Sequence, residues 1–311
     1  MSADSVVTLD EKSKQLTGES LYTKALRRLR RDRLTVSALL VIFLMVLFSF
    51  SAPLIEDIFN VSYTRTSSNV FAKPFTSEPV TEQDPQGGFN LLGTDDLGRD
   101  QLARLAYAGQ ISMQIAILAA LLSLAIGVSL GIFTGFYGGI IDDLIMWVIT
   151  TLNSIPALFL LIIVAAVLKP GATTLILVLG LLGWTGTTRL VRGETLALRE
   201  REYIISARAL GASNFRIMYS HIAPNLLSIV VVTLAQDIGS LLLTEAGLSF
   251  LGLGVQPPTP TWGNMLSNSQ TFFNKGPHLV IFPGLLISVT VLCMYIIGDG
   301  IRDAFDPTIN D

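Results

Sequence analysis

Between Ile115 and Phe136 the chain reads IAILAALLSLAIGVSLGIFTGF, a run without a single charge. A helix needs about 20 apolar residues to cross the hydrocarbon core of a bilayer. A chain of 311 residues could bury a sizeable soluble core, but not as an uncharged run of this length. The run is also too long for a barrel strand, which needs only about ten residues. Inside lipid every backbone N–H and C=O must be satisfied within the segment, and only a helix does that here.

Further runs lie on either side of it. They are Leu34–Ile55, Leu144–Leu168, Thr173–Thr188, a stretch from Pro224 toward Gly254 interrupted by Asp237 and Glu245, and His278–Ile297. Thr173–Thr188 is short, but Arg189 can snorkel and extend it. The expectation is an all-α integral membrane protein with six transmembrane helices. Composition agrees: half the residues are hydrophobic and 14% are charged, against roughly 25% in a soluble domain. Mean hydropathy is +0.58. The net charge of −3 supplies no global field for nucleic acid. A single cysteine, Cys293, excludes an intrachain disulfide, and two histidines without HExxH leave no metal or catalytic site to name.

Charge position gives orientation. KALRRLRRDR, Lys24 to Arg33, holds six bases and one acid. Such clusters stay in the cytoplasm. The stretch Glu56–Asp100 then lies outside, with three bases and eight acids, and Arg189–His221, with six arginines and three acids, falls inside. The expected organisation is a cytoplasmic tail over 1–33, a first span over 34–55 and an extracytoplasmic loop over 56–100. A five-helix core over 101–301 follows, carrying a cytoplasmic loop at 189–223, and then a cytoplasmic tail over 302–311. Residues 1–20 are polar. Leu21–Arg33 suits an amphipathic helix at the inner membrane surface, or simply a basic stop beside a span. The first run is too long, and too far from the start, for a secretory signal. The outer stretch Asn60–Phe89 is rich in Ser, Thr, Pro and Gly and reads as loop with at most short strands.

The inner loop is too long for a simple turn. Glu194–Leu210 consists largely of good helix formers. Gly211 suits the left-handed residue that ends a helix, Ser213 can cap a second helix from Asn214 toward His221, and Pro224 sits well in the first turn of the next span. The second helix carries Phe215, Ile217, Met218 and Tyr219. Two readings stand for these: they dock in a partner's groove, or they pack back on the chain's own spans.

At this point a resemblance enters. EYIISARALGASNFRIMYSHIAPN, Glu202 to Asn225, resembles the cytoplasmic loop of binding-protein-dependent ABC permeases, with Gly211 and Pro224 at the family's spacing. The family's Glu-Ala-Ala is here Ile205-Ser206-Ala207, so a charge contact made by that Glu is missing; Glu202 lies one turn earlier. LGTDDLGRD (Leu92 to Asp100), EAGLSFLGLGVQPPTPTWGNML (Glu245 to Leu266) and GDGIRDAFDP (Gly298 to Pro307) look like segments of the dipeptide and oligopeptide permeases of the C type. ARLAYAGQ, Ala103 to Gln110, departs from the family at its first and last positions.

The resemblance implies a type I ABC importer permease, MetI-like in architecture, in a bacterial or archaeal plasma or inner membrane. It implies a homologous B-type permease partner, two ABC ATPase subunits, an extracytoplasmic substrate-binding protein, and membrane lipid around the spans. The expected solute is a di- or oligopeptide; relatives also carry nickel complexes or oligosaccharides. The chain lacks GxxxxGK[ST], so ATP-Mg belongs on the partner ATPases and this chain binds no cofactor. Residues expected at the ATPase are Glu202, Ala207, Gly211, Ser213, Asn214, Phe215, Arg216, Met218, Tyr219 and Pro224.

Polar groups inside spans usually face a cavity or a partner. Candidates for the pathway are Asn153, Ser154, Trp184, Asp237 and Glu245. Asp237 and Glu245 could share one side of the fifth span and meet a positive peptide end; the other reading pairs Asp237 within the protein and sets Glu245 near the outer interface. Asn153, Ser154 and Pro156 interrupt the third span, as a gate hinge or as packing. Gly180, Gly183 and Gly186 read as close-packing positions. Outside, Asp95, Asp96, Arg99 and Asp100 form either a contact for the binding protein or outer gate, or an ion-paired cap on the second span. A proton-coupled secondary transporter or channel would need no two-helix projection on its inner face. An intramembrane protease would need GxGD, and Gly298-Asp299-Gly300 has the wrong order.

Overall fold

The computed structural model describes residues 21–77 and 88–306. The polar tail 1–20, loop residues 78–87 and the end of the C-terminal tail from Pro307 lie outside the described residues.

The basic segment forms α1 (Leu21–Arg31), and Asp32 starts α2 (Arg33–Phe50). The Asp32 carboxylate accepts from the backbone N–H of Leu34 and Thr35 at 3.1 and 3.2 Å, and from the Thr35 hydroxyl. Led by that hydroxyl, these bonds hold its pKa below the ordinary carboxylate value, with burial opposing them. The first run breaks at Ser51 rather than continuing to Ile55, and α3 (Ala52–Phe59) follows with proline in its first turn. Two-residue strands β1 (Thr76–Ser77) and β2 (Phe89–Asn90) pair antiparallel, as the short-strand expectation allowed.

The charge-free run sits within α4 (Gln101–Tyr137). At 37 residues this helix is about 55 Å long, well beyond a hydrocarbon core of roughly 30 Å. The expected single span over Leu144–Leu168 is instead two helices, α5 (Gly139–Asn153) and α6 (Ala157–Val167), bent by 84°. Pro156 supplies no N–H, and the residue before a proline is pushed out of the helical region. The interruption foreseen at Asn153–Pro156 is therefore a break. The fourth run is longer than expected, as α7 (Ala172–Arg199). Glu194–Arg199 thus belongs to the spanning helix, not to a separate inner one.

Next come α8 (Glu202–Ala209), α9 (Asn214–Ile217), a wide π turn Met218–Ile222, a 3-10 turn Ala223–Leu226 and α10 (Leu227–Phe250). A short α11 (Ser269–Lys275) precedes α12 (His278–Phe305). Among the described residues five helices are long and apolar enough to span, or six with the bent pair counted as one. The helices alternate in direction. The ends of α4, α7 and α12 and the start of α10 therefore share the end that carries α1, where Arg28 Nη1 donates to Asp306 O at 2.9 Å. This is called the basic end below.

Lipid tails are as apolar as leucine, so helices in a membrane associate through close packing and polar bonds rather than water exclusion. The tightest seam joins α4 to α7. Gly127, Gly131 and Gly135 face Thr187, Val191 and Thr195, both sets at four-residue spacing; an added Cβ would come within 2.6, 2.7 and 2.7 Å of those residues' Cβ atoms. Of the glycines expected to pack, Gly180 and Gly183 do, against Leu122 and Ser123, while Gly186 faces open space. At the basic end Gly300 lets α12 close on Thr35 of α2.

Candidate functional site

The segment between α7 and α10 keeps the expected break and cap, but its first helix starts at Glu202 rather than Glu194, its second ends at Ile217, and Pro224 falls in the 3-10 turn ahead of α10. Gly211 takes φ +87, ending the first short helix. Ser213 Oγ accepts from the Arg216 N–H at 3.3 Å and starts the second, at Asn214. Beyond α9 the π turn accommodates Pro224, and Asn225 Nδ2 donates to the His221 carbonyl at 2.6 Å. Isolated π turns occur often at functional sites.

The apolar residues of this segment divide by face. Ile204, Ile217, Met218, Ile222 and Leu226 are buried against Phe136 and Val191 at the basic ends of α4 and α7. Phe215 and Tyr219 point the other way, 72% and 71% exposed, with rings stacked at 6.0 Å. The reading that these residues pack back on the chain's own spans holds for Ile217 and Met218, while Phe215 and Tyr219 lie exposed on the other face. Glu202 and Arg216 are exposed, Ala207 is half-buried, and Leu210 at the break is 89% exposed.

Two arginines converge on the end of α4. Arg199 Nη1 donates to Gly135 O and Phe136 O at 3.1 and 3.4 Å, and Arg208 lies 5.7 Å over the Phe136 ring. A third, Arg192, pairs with Asp142 and ties α5 to α7. These contacts span large sequence separations, and no local motif announced them. The glycine stripe of α4, by contrast, was readable as G-x3-G-x3-G.

At the opposite end the chain is closed. Trp262 is fully buried, donating from Nε1 to Leu105 O at 3.0 Å and from its backbone N–H to Ser112 Oγ at 3.1 Å. Ser112 donates to Glu245 Oε2 at 3.2 Å, and Ser249 donates to Oε1 at 2.7 Å. Glu245 is therefore 0% exposed, set in hydroxyls between α4, α10 and the outer loop, and it lines no open surface. Asn264 clamps that loop: Nδ2 donates to Val255 O and Thr259 O at 3.0 and 2.9 Å, and Oδ1 accepts from the Thr261 N–H.

The outer acid cluster is an ion-paired cap. Asp95 accepts from the Leu97 and Arg99 backbone N–H groups and pairs with the side chains of Arg99 and Arg104 at 2.7 and 3.3 Å. Asp100 caps α4 through the Ala103 N–H at 2.7 Å. Asp96 stays partly exposed, 4.0 Å from Arg99, on the rim of a cleft of about 220 Å³.

The mid-span candidates fall into two pairs. Asn153 Oδ1 accepts from Thr185 Oγ1 at 3.3 Å, and Asp237 Oδ2 accepts from Thr187 Oγ1 at 3.5 Å. Asp237 is half-buried, and that hydroxyl is a long, weak partner. Ser154 is exposed at the bend, and Trp184 bonds within its own helix, to Leu181 O. Asn153 also lines a cavity of about 180 Å³ in the elbow of α5 and α6, with Gly183, Leu241 and Thr244. Among the described residues no cluster of His, Cys, Asp and Glu could hold a metal ion.

The comparisons with known proteins agree with this arrangement. The family model described as binding-protein-dependent transport system inner membrane component matches residues 127–311. The model for the N-terminal transmembrane domain of oligopeptide transport permease C matches residues 20–84. The chain is 40% identical, over 96% of each sequence, to the oligopeptide transport system permease protein OppC of Salmonella typhimurium. It is 35% identical to the dipeptide transport system permease protein DppC of Alkalihalophilus pseudofirmus, over 94% of this chain and 92% of that one. The glutathione transport system permease protein GsiD of Shigella flexneri is 38% identical over 91% and 89%. A solved inward-facing structure of the MetNI methionine ABC transporter has a chain of the same fold, with TM-score 0.53 and 18% identity over 65% of this chain and 96% of that chain.

Proposed function

Because the chain belongs to the family of binding-protein-dependent transport system inner membrane components, we propose that it carries peptides, driven by separate ATPases seated on Phe215 and Tyr219. The chain is a multi-pass permease subunit of an inner-membrane ABC importer, and a transport subunit rather than an enzyme. Importers of this family work with a partner permease, an ATPase and a binding protein.

The finer assembly is our reading. A homologous B-type permease completes the pathway, and two ATPase subunits hold ATP-Mg below it. A binding protein delivers solute from outside, and lipid surrounds the rest. Both termini and the α8–α9 segment lie in the cytoplasm, which the arginine-rich character of α1 and of the α7–α10 connection supports. Peptide as solute is supported by the names of the relatives, several of which are oligopeptide or dipeptide permeases.

The observation that carries the reading is the exposed, stacked Phe215–Tyr219 pair on a segment whose other face is sealed. Aromatic anchors of this kind dominate protein interfaces. When the ATPases close on ATP they grip this pair differently from when they open. That difference in contact free energy biases the spans between two states. The test is uptake of labelled di- and oligopeptides by cells lacking the chain and by cells with it restored. Uptake should vanish and return. Loss confined to nickel or oligosaccharide uptake would contradict the peptide assignment, and uptake by the purified chain without any ATPase would contradict the whole reading.

A further inference from the structure

The last turn of a helix leaves four carbonyls without an internal partner. On α4, two carbonyls near this end, those of Gly135 and Phe136, receive Arg199 Nη1 at 3.1 and 3.4 Å. A cation at this position is also favoured by the helix dipole. Gly138, at φ +65, turns the chain away immediately after these carbonyls.

Arg199 is the last residue of α7, one turn beyond Thr195 on the face that meets the glycine stripe. The chain then turns at Glu200 and Arg201 and enters α8. The Glu200 carboxylate takes Arg199 Nε at 3.0 Å but is 71% exposed, so that pair fixes little. From the other side Arg208 covers the Phe136 ring at 5.7 Å, and Ile204, Ile217, Met218 and Ile222 pack around it. Phe136 is thus held by its carbonyl from α7 and by its ring from α8.

We propose that Arg199 is a positioning residue for transport, locking the ends of α4 and α7 together so that force applied at Phe215 and Tyr219 moves both spans as one body. This rests on the reading of that segment as the ATPase seat. Without the lock the segment would still bind the ATPases, because Phe215 and Tyr219 do not touch Arg199. Its displacement would instead shift the end of α7 against the end of α4 and reach α4 weakly.

The test uses the whole complex in liposomes with its binding protein, reading ATPase retention, ATP hydrolysis and peptide taken up per ATP. Arg199→Ala should retain the ATPases and hydrolyse ATP, while uptake per ATP falls about tenfold, as loss of charge-assisted bonds at a working contact implies. Arg199→Lys, which keeps one cationic donor, should recover more than half of that loss. If Arg199→Ala does not accumulate, Arg199→Gln, with a neutral donor, carries the same expectation as Arg199→Ala. Uptake per ATP unchanged, hydrolysis and uptake falling in proportion, loss of the ATPases, or no recovery by lysine would each overturn the proposal. A parallel Phe215→Ala, Tyr219→Ala complex isolates the underlying reading: if it keeps its ATPases and full uptake, the seat is wrong whatever Arg199 does.

Discussion

Phe215 and Tyr219 stack within 3° of parallel, one helical turn apart, on the outward face of a segment whose inward face is sealed by Ile217, Met218 and Ile222. Within this chain the two exposed rings bury little surface beyond their own stack. The buried neighbours explain how they are held there. The proposed ATPase seat gives them a use.

The α4–α7 seam should be the least forgiving part of the fold. Gly131→Leu forces a side chain into Val191, an overpacking that costs about 1–3 kcal/mol. Gly186→Leu on the open face should cost nothing measurable. Thermal unfolding of the purified variants checks both, and equal midpoints would show that the seam is not tight.

Glu245 and Trp262 should act as one unit in holding the outer loop down. Trp262→Phe removes the bond to Leu105 O and should cost about 1 kcal/mol, whereas Trp262→Ala should cost about 3–5 kcal/mol. Glu245→Gln puts a donor among donors and should cost about 1–3 kcal/mol. Proteolytic nicking of residues 252–266 in the folded protein should rise in the same order as the thermal loss. Nicking that does not change would mean the loop is held elsewhere.

The spans were legible in the sequence because bilayer thickness sets a length that hydrophobic runs must match. Gly211, Ser213 and Pro224 were legible because each answers a local backbone need. The long-range contacts were not. For Glu245 two readings stood, in the pathway or near the outer interface, and its long-range partner Ser112, 133 residues earlier, could not be read from either. Asp142 and Arg192 gave no sign of meeting. The break at Pro156 appeared only as an interruption, because a proline fixes where a helix stops and not the 84° angle at which the next one leaves.

The Asp142–Arg192 pair should couple α5 to α7. Arg192 keeps 30% of its side-chain surface, so water competes and a double-mutant cycle should give a coupling of only about 1 kcal/mol. Exchanging the charges, Asp142→Arg with Arg192→Asp, should restore stability lost in either single variant. Strict additivity would mean that the pair does nothing.

Asp237, a candidate for the pathway, keeps a weak partner, Thr187 at 3.5 Å. Asp237→Asn should lower uptake of peptides with a free amino terminus about tenfold, the worth of one charge-assisted contact. Peptides with a blocked terminus should be affected less. Unchanged uptake at normal membrane levels would remove Asp237 from the path.

The most direct measurement is the subunit content of the purified complex by native mass spectrometry, with Phe215 and Tyr219 both changed to alanine. The ATPase on this side should be lost while the partner permease stays, since the buried face that shapes the segment is untouched. A complex that keeps every ATPase and imports peptide at the wild-type rate would contradict the account.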